Sequence, residues 1–460
     1  MAKKFDDQGG VATMDPSAAM RFVTSKFMTA RAGRTARARR HAKAESKRKK
    51  TGERHRVEYF HQVEDGYSHL AAQLLRPLLD HYDVELVCHL CTVKRDRNLP
   101  EPEMLLPLSR LDSYKVAPHY GLNFPGGTQH PKPEHVEAAQ RILAAVSQAK
   151  FPEAAVAVGE AVFSRDAASL GALAELYGQI DGAGAARKVE AGTERRGELG
   201  HYSGAMFYYG GEWYWGADRF YHLENRLVGL GTRKDESQEL LCPRPAIEMG
   251  PRVDDGSLTL EIYASLRSPY TSIIFDKAVE LARKTGVRMV MRPVLPMVMR
   301  GVPATRQKGF YIFTDAAREA EILGLEWGPF YDPIGEPVRR AYSLYPWACG
   351  QGKGTELLSE FLRAAFFEGV NTGNDRGLRR VVAGAGLSWQ EAKPLVGKEG
   401  WEGELEANRL EMYAFGSWGV PSFRLLDAAG QEVLGLWGQD RLWLFSREIQ
   451  RLLGQAEGAR

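Results

Sequence analysis

The 460 residues of this chain exceed what one ordinary hydrophobic core fills, so two domains of roughly 200 residues plus extensions are expected. Hydrophobic residues at 44%, aromatics at 10% and charged residues at 26% exclude a fibrous chain or one disordered throughout, and 4 cysteines are too few for a disulfide framework. The net charge of +3 conceals an asymmetry: residues 31–56 hold 12 Lys/Arg against Glu45 and Glu53, which leaves the rest mildly acidic and not built to hold a polyanion.

From the N-terminus, Met1 to Asp7 lack an apolar signal core, and no stretch of about 18 apolar residues follows, so no membrane span and a cytoplasmic location are expected. Residues 1–55 read as a basic extension, disordered or helical. The run at 31–56 has two readings: a solvated tail, or a weak contact with nucleic acid or an anionic surface.

Val57-Glu58-Tyr59-Phe60 and Leu260-Glu261-Ile262-Tyr263 share one pattern and read as buried strands 203 residues apart. Tyr67 and Tyr270 keep that offset, as do the second strand candidates Val84–Leu90 and Val287–Val294. Helical periodicity follows over Pro133 to about Gly182 and Lys353 to about Tyr413, then hairpins at Met206–Trp215 and Ser422–Trp437, each followed by a helix. Near the end of each half stand Trp215-Gly216-Ala217-Asp218-Arg219 and Trp437-Gly438-Gln439-Asp440-Arg441. The expectation is a tandem duplication of an α/β unit with a mixed sheet and a large helical insertion. The units are 56–229 and 258–456, with a proline-bearing linker at 230–257.

The motifs Ser268-Pro269-Tyr270, Arg292-Pro293, Lys308-Gly309-Phe310-Tyr311 with Asp315, Gly419-Val420-Pro421 and Gly438-Gln439-Asp440-Arg441 resemble the kappa-class glutathione transferases and 2-hydroxychromene-2-carboxylate isomerases. These families have DsbA-like thioredoxin folds. In the N-terminal unit Asp65 and Gly66 replace the family's serine and proline, and Ala205 its proline before the hairpin, so that copy reads as degenerate. The resemblance implies glutathione as cofactor and a small aromatic substrate, and the duplication leads us to expect pairing of the two domains within the chain, since duplicated domains often reuse a homodimer interface.

A thioredoxin-like redox enzyme needs a Cys-x-x-Cys at the first helix start; Arg267-Ser268-Pro269-Tyr270 has neither cysteine, so a bound thiol must supply the chemistry. Ser268 is the catalytic candidate, since a hydroxyl donating at a helix N-terminus favours a thiolate; it reads equally as a plain N-cap. By resemblance Pro421 is cis and the Val420 backbone pairs with the cysteinyl backbone of glutathione, while Asp440 and Arg441 hold the γ-glutamyl end; a trans proline and a capping Asp beside a solvated Arg are the alternatives. Lys308 binds the cofactor and Tyr270 and Tyr311 face substrate in the same reading; otherwise Lys308 and Tyr311 lie on a solvated helix face. Trp327, Phe330, Tyr331, Tyr345 and Trp347 form either an apolar pocket or core. Cys88-His89-Leu90-Cys91 falls on a strand whose alternation separates its thiols, and no phosphate-binding glycine loop is present. The competing class is a thioredoxin-fold binding or scaffold protein with a basic tail; a thiol-disulfide oxidoreductase using Cys349 or Cys88 is the third option.

Overall fold

The computed structural model describes residues 15–93, 98, 101–125, 129–302 and 304–458. The chain divides into two compact units, one made of residues up to Arg37 together with Ala246 onward, the other of Ala38–Pro245. The described part of the basic extension holds two helices, α1 (Ala18–Ala32) followed by α2 (Arg34–Thr51). Ser17 caps α1 by accepting the Met20 N–H. Gly33, with φ −59 and ψ 150, breaks the run between the two helices.

In the unit 38–245 the order is β1 (Arg56–His61), α3 (Gly66–Ala72), α4 (Leu75–His81), β2 (Glu85–Leu90), α5 (Pro102–Val116), α6 (Pro133–Ala145), α7 (Phe151–Phe163), α8 (Ala167–Tyr177), α9 (Gly182–Glu198), β3 (Met206–Tyr209), β4 (Glu212–Trp215) and α10 (Phe220–Val228). The sheet runs β2-β1-β3-β4, parallel between β1 and β2 and antiparallel elsewhere. Gly210 and Gly211 both take positive φ, which the two-residue hairpin between β3 and β4 demands. Two short helices, α3 and α4, lie between β1 and β2. Pro77 has no N–H to give the Gln73 carbonyl, and its ring crowds that carbonyl, so the run breaks after α3.

In the other unit the order is β5 (Thr259–Ala264), α11 (Pro269–Thr285), β6 (Arg288–Pro293), α12 (Arg306–Ile322), α13 (Glu336–Tyr342), α14 (Tyr345–Gly350), α15 (Gly354–Phe366), α16 (Asp375–Gly384), α17 (Trp389–Ala392), α18 (Glu402–Ala414), β7 (Ser422–Leu426), β8 (Glu432–Trp437) and α19 (Leu442–Gly458). Its sheet, β6-β5-β7-β8, has the strand order and directions of the first. The long helical reading at Lys353–Tyr413 resolves into four α-helices, the second of them capped by Asn374 through the Gly377 N–H. Every residue of β5 is buried, as a central strand covered on both faces requires. Its one carboxylate, Glu261, accepts from Arg292 at 2.6 Å and from the Tyr263 hydroxyl at 2.9 Å, which makes its burial tolerable. α11 closes on Gly286 at φ +72, the left-handed cap that glycine adopts without strain. The residues expected to be linker are tied to the units: Leu241 and Cys242 donate their N–H groups to Glu224, and Gln450 donates to the Met249 and Arg252 carbonyls.

Candidate functional site

At the N-terminus of α11 the Ser268 segment meets the loop before β7. Ser268 is its N-cap: the Oγ accepts the Thr271 N–H at 3.1 Å, and Pro269 fills the first turn, where no N–H is needed. The same hydroxyl donates to the Val420 carbonyl at 3.2 Å, which joins the helix start to the loop before β7. The Val420–Pro421 peptide is cis. Ser268 and Val420 are half-buried and Pro421 is buried, so the two groups that can hydrogen-bond a ligand retain access to solvent.

Beside that loop, the Lys308 ammonium lies 5.1 Å from the Trp418 ring centre. Lys308 is only 6% exposed, which replaces the solvated-face alternative with a buried cation over an indole. Thr305 caps α12 through the Lys308 N–H and so fixes where this lysine enters. Tyr311, one turn on, is half-buried. The Tyr270 hydroxyl donates to Asp315 at 2.8 Å, and Arg318 donates to the other oxygen of the same carboxylate, so α11 and α12 are locked by a charged bridge. Asp440 and Arg441 follow β8. Asp440 is half-buried, whereas the Arg441 guanidinium is buried and donates to the Asp440 carbonyl at 3.0 Å. The arrangement recurs in the other unit, where Arg219 is buried and donates to the Asp218 carbonyl at 3.1 Å. The sequence-predicted aromatics divide: Phe330 packs on Phe313 and Phe366 as core, and Tyr345 is buried, while Trp327 and Trp347 are half-buried.

Several further residues at the site were given no partner by the sequence. Arg267, directly before Ser268, is paired bidentately with Asp332 at 2.8 and 2.9 Å. Burial pushes the Asp332 carboxyl up, but Arg267 outweighs it and holds the group below its ordinary value. The backbone around Asp332 is in turn gripped by α1. Arg21 donates to the Asp332 and Ile334 carbonyls at 2.7 and 2.6 Å, Ser25 accepts the Asp332 N–H, and Thr29 accepts the Phe330 N–H. Trp418 and Trp437 stand with ring centres 4.9 Å apart, and Gly419 between them has no room for a Cβ, which would collide with the Trp437 indole. A glycine directly before Val420-Pro421 was the one hint of that close approach. Gln439 and Glu319, both buried, are hydrogen-bonded at 2.8 Å.

At the corresponding place in the other unit, Asp65 caps α3 through the Ser68 N–H at 3.0 Å. Burial raises its carboxyl to about 6 against the pull of the Ser68 and Ser109 hydrogen bonds. Tyr67 donates to Asp112 at 2.7 Å, as Tyr270 does to Asp315, and both partners sit 203 residues earlier. The cysteines are poorly placed for thiolate chemistry. Cys88, Cys91 and Cys242 are buried, and burial pushes the Cys91 thiol to about 12 and the other two up as well. Cys88 lies on β2 and Cys91 one residue past its end. Cys349 is exposed, but partial burial raises its thiol too, with the Tyr345 hydrogen bond opposing.

Residues 259–450 match the family model described as a DSBA-like thioredoxin domain, and this part of the chain is such a domain. Among solved structures, the chain is similar to a probable DsbA oxidoreductase from Streptomyces coelicolor, at 22% identity over 44% of this chain and 91% of that one, with a TM-score of 0.33. It is also similar to a 2-hydroxychromene-2-carboxylate isomerase, at 16% identity over 44% of this chain and 99% of that one, with a TM-score of 0.37. A third likeness is to the cytosolic disulfide reductase DsbM from Pseudomonas aeruginosa in a structure with GSH, at 20% identity over 42% of this chain and 99% of that one, with a TM-score of 0.29. No curated protein matches the chain. Among the described residues, no helix is long and apolar enough to cross a membrane.

Proposed function

We propose that residues 258–456 form a glutathione-dependent isomerase or transferase acting on a small aromatic or electrophilic substrate. The observation that carries this reading is the Ser268 hydroxyl, half-exposed at the N-terminus of a 17-residue helix and 3.2 Å from the Val420 carbonyl, in a domain with no cysteine at that place. The polar groups suit a thiol tripeptide: two donors, the Ser268 hydroxyl and the buried Trp418 Nε1 with no partner, and two acceptors, the Val420 carbonyl and the Asp440 carboxylate. Glutathione, when bound, supplies the thiolate that adds to an electrophilic carbon, and is either expelled after bond rotation or retained in the product.

Ser268 exchanges its hydrogen bond from the Val420 carbonyl to the thiolate, helped by the positive end of α11. The freed Val420 carbonyl accepts a peptide N–H of the ligand. Asp440 holds the ligand's α-amino group, and the buried Arg441 fixes the Asp440 backbone. The Lys308 charge over Trp418 favours an anionic substrate nearby. The N-terminal unit we read as a degenerate tandem copy, supported by the shared strand order and the two Tyr–Asp bridges at one offset. Its Asp65 cannot favour a thiolate, because a carboxylate there repels one.

A second reading is favoured by the engaged Ser268 hydroxyl and the Arg267–Asp332 clamp beside it: a binding protein that keeps the fold without the chemistry. Calorimetry with glutathione separates the two. The expected result is micromolar to low-millimolar binding that Asp440→Ala weakens and a thiolate absorbance that Ser268→Ala abolishes, the latter also costing about 1 kcal/mol of stability through the lost cap. No binding by the wild-type chain sinks the catalytic reading.

A further inference from the structure

The unit 38–245 holds a surface cavity of about 330 Å³ whose lining includes Glu64, Leu106, Arg110, His130, Pro131 and Val136. Arg110, on α5, is 1% exposed, and its Nε and Nη1 have no hydrogen-bond partner. A guanidinium so buried ordinarily finds a carboxylate or a set of carbonyls, because leaving it unpaired costs several kcal/mol. Here the nearest charges make matters worse. Burial first, and Arg165 second, pull the Arg110 group down to about 10, and His130 is lowered by burial and by the same two arginines. Arg165 is fixed there, donating to the His130 carbonyl at 2.6 Å. Of the two carboxyls lining the cavity, Glu137 is exposed, and Glu64, half-buried, forms no ion pair with Arg110. Its Oε1 is taken by Gln62 at 2.9 Å, its Oε2 is unpartnered, and burial raises its affinity for a proton.

From this juxtaposition we infer that the cavity binds a small organic monocarboxylate, its carboxylate on the unpaired Arg110 fork and its apolar body against Leu106, Pro131 and Val136. A guanidinium presents parallel N–H groups that match a carboxylate bidentately. The volume is at the low end of the ~300–1,000 Å³ typical of small-molecule sites. Glu64 and Glu137 line the same space, which disfavours a dianion such as phosphate and selects a singly charged acid. The site lies wholly within the unit that lacks Ser268, so it stands or falls independently of glutathione binding.

The test is calorimetry on the full chain with benzoate, its neutral isostere benzamide, and inorganic phosphate. Benzoate is expected to bind at least about tenfold more tightly than benzamide, with phosphate weaker than both. Arg110→Met is expected to abolish benzoate binding while raising the melting temperature of the empty protein, since it removes an unpaired buried charge. Arg110→Lys, which keeps the charge and loses the fork, is expected to bind benzoate about tenfold less tightly than wild type. Equal binding of benzoate and benzamide, no benzoate binding at about 10 mM, tighter phosphate binding, or benzoate binding that survives Arg110→Met would each overturn the proposal. The benzoate and benzamide comparison needs no variant, so a failure of Arg110→Met to fold leaves it decisive.

Discussion

Asp65 and Ser268 do the same local work, each accepting the backbone N–H three residues on at the start of the helix that follows its sheet's central strand. What differs is the proton. Ser268 always has one to donate, whereas Asp65 has one only below its raised value of about 6. A carboxyl raised in the folded state stabilises folding fully below its unfolded value near 3.9, and that contribution is lost as pH rises through about 6. Asp65→Asn keeps a capping oxygen and never ionises. Its stability relative to wild type is therefore expected to improve between pH 4 and pH 7 by an amount of order 2 to 3 kcal/mol. Denaturant titrations of both proteins at the two pH values check this, and a difference that does not change with pH refutes it. At this scale the sequence was informative where the role is local: the caps and the proline of the first turn were legible. Lys308 was not, because three-residue spacing on a helix cannot say which face another segment covers, and it was Trp418, 110 residues on, that buried it.

Helix α1 shows the same limit for a whole element. Its sequence reads as part of a basic tail, yet Arg21, Ser25 and Thr29, one turn apart, hold three backbone positions between Phe330 and Ile334. Phe27 packs edge-on against Phe310, and Arg37 pairs with Glu321 at 2.5 Å, so α1 and the residue range just after it run along α12. The face turned away keeps Met20, Phe22 and Val23 more than half exposed. Arg21→Ala leaves two carbonyls, one of them fully buried, without their charged donor. The expected loss is about 2 to 3 kcal/mol for the unit containing 246–460, with faster amide exchange across 330–334. Unchanged exchange there refutes the docking of α1. The strands by contrast were legible to within a residue, since Val84–Leu90 and Val287–Val294 became Glu85–Leu90 and Arg288–Pro293. Both are edge strands, half-buried along much of their length, and each is written as a short run of mostly apolar residues beside its buried central partner.

For the molecule as a whole, the consequence of α1 is that one unit is discontinuous in sequence, drawing on residues before Arg37 as well as after Ala246. A fragment of residues 246–460 is therefore expected to melt lower than the same unit in the full chain, and to regain stability when a peptide of residues 15–37 is added. Calorimetry of the fragment with and without the peptide measures this; equal melting temperatures in the three states refute it. The sequence by itself determined the two strand sets at an offset of 203, the helix starts, the charge asymmetry and the absence of a cysteine pair at the head of α11, because each is written in spacing or composition along a short stretch. Only the tertiary structure decided that Ser268 faces Val420, that Arg441 is buried, that the basic extension holds a docked helix, and that Arg110 is shut in without a partner. Those outcomes depend on which distant surfaces exclude water from a side chain, and burial of that kind is a property of the packed chain rather than of any segment of it.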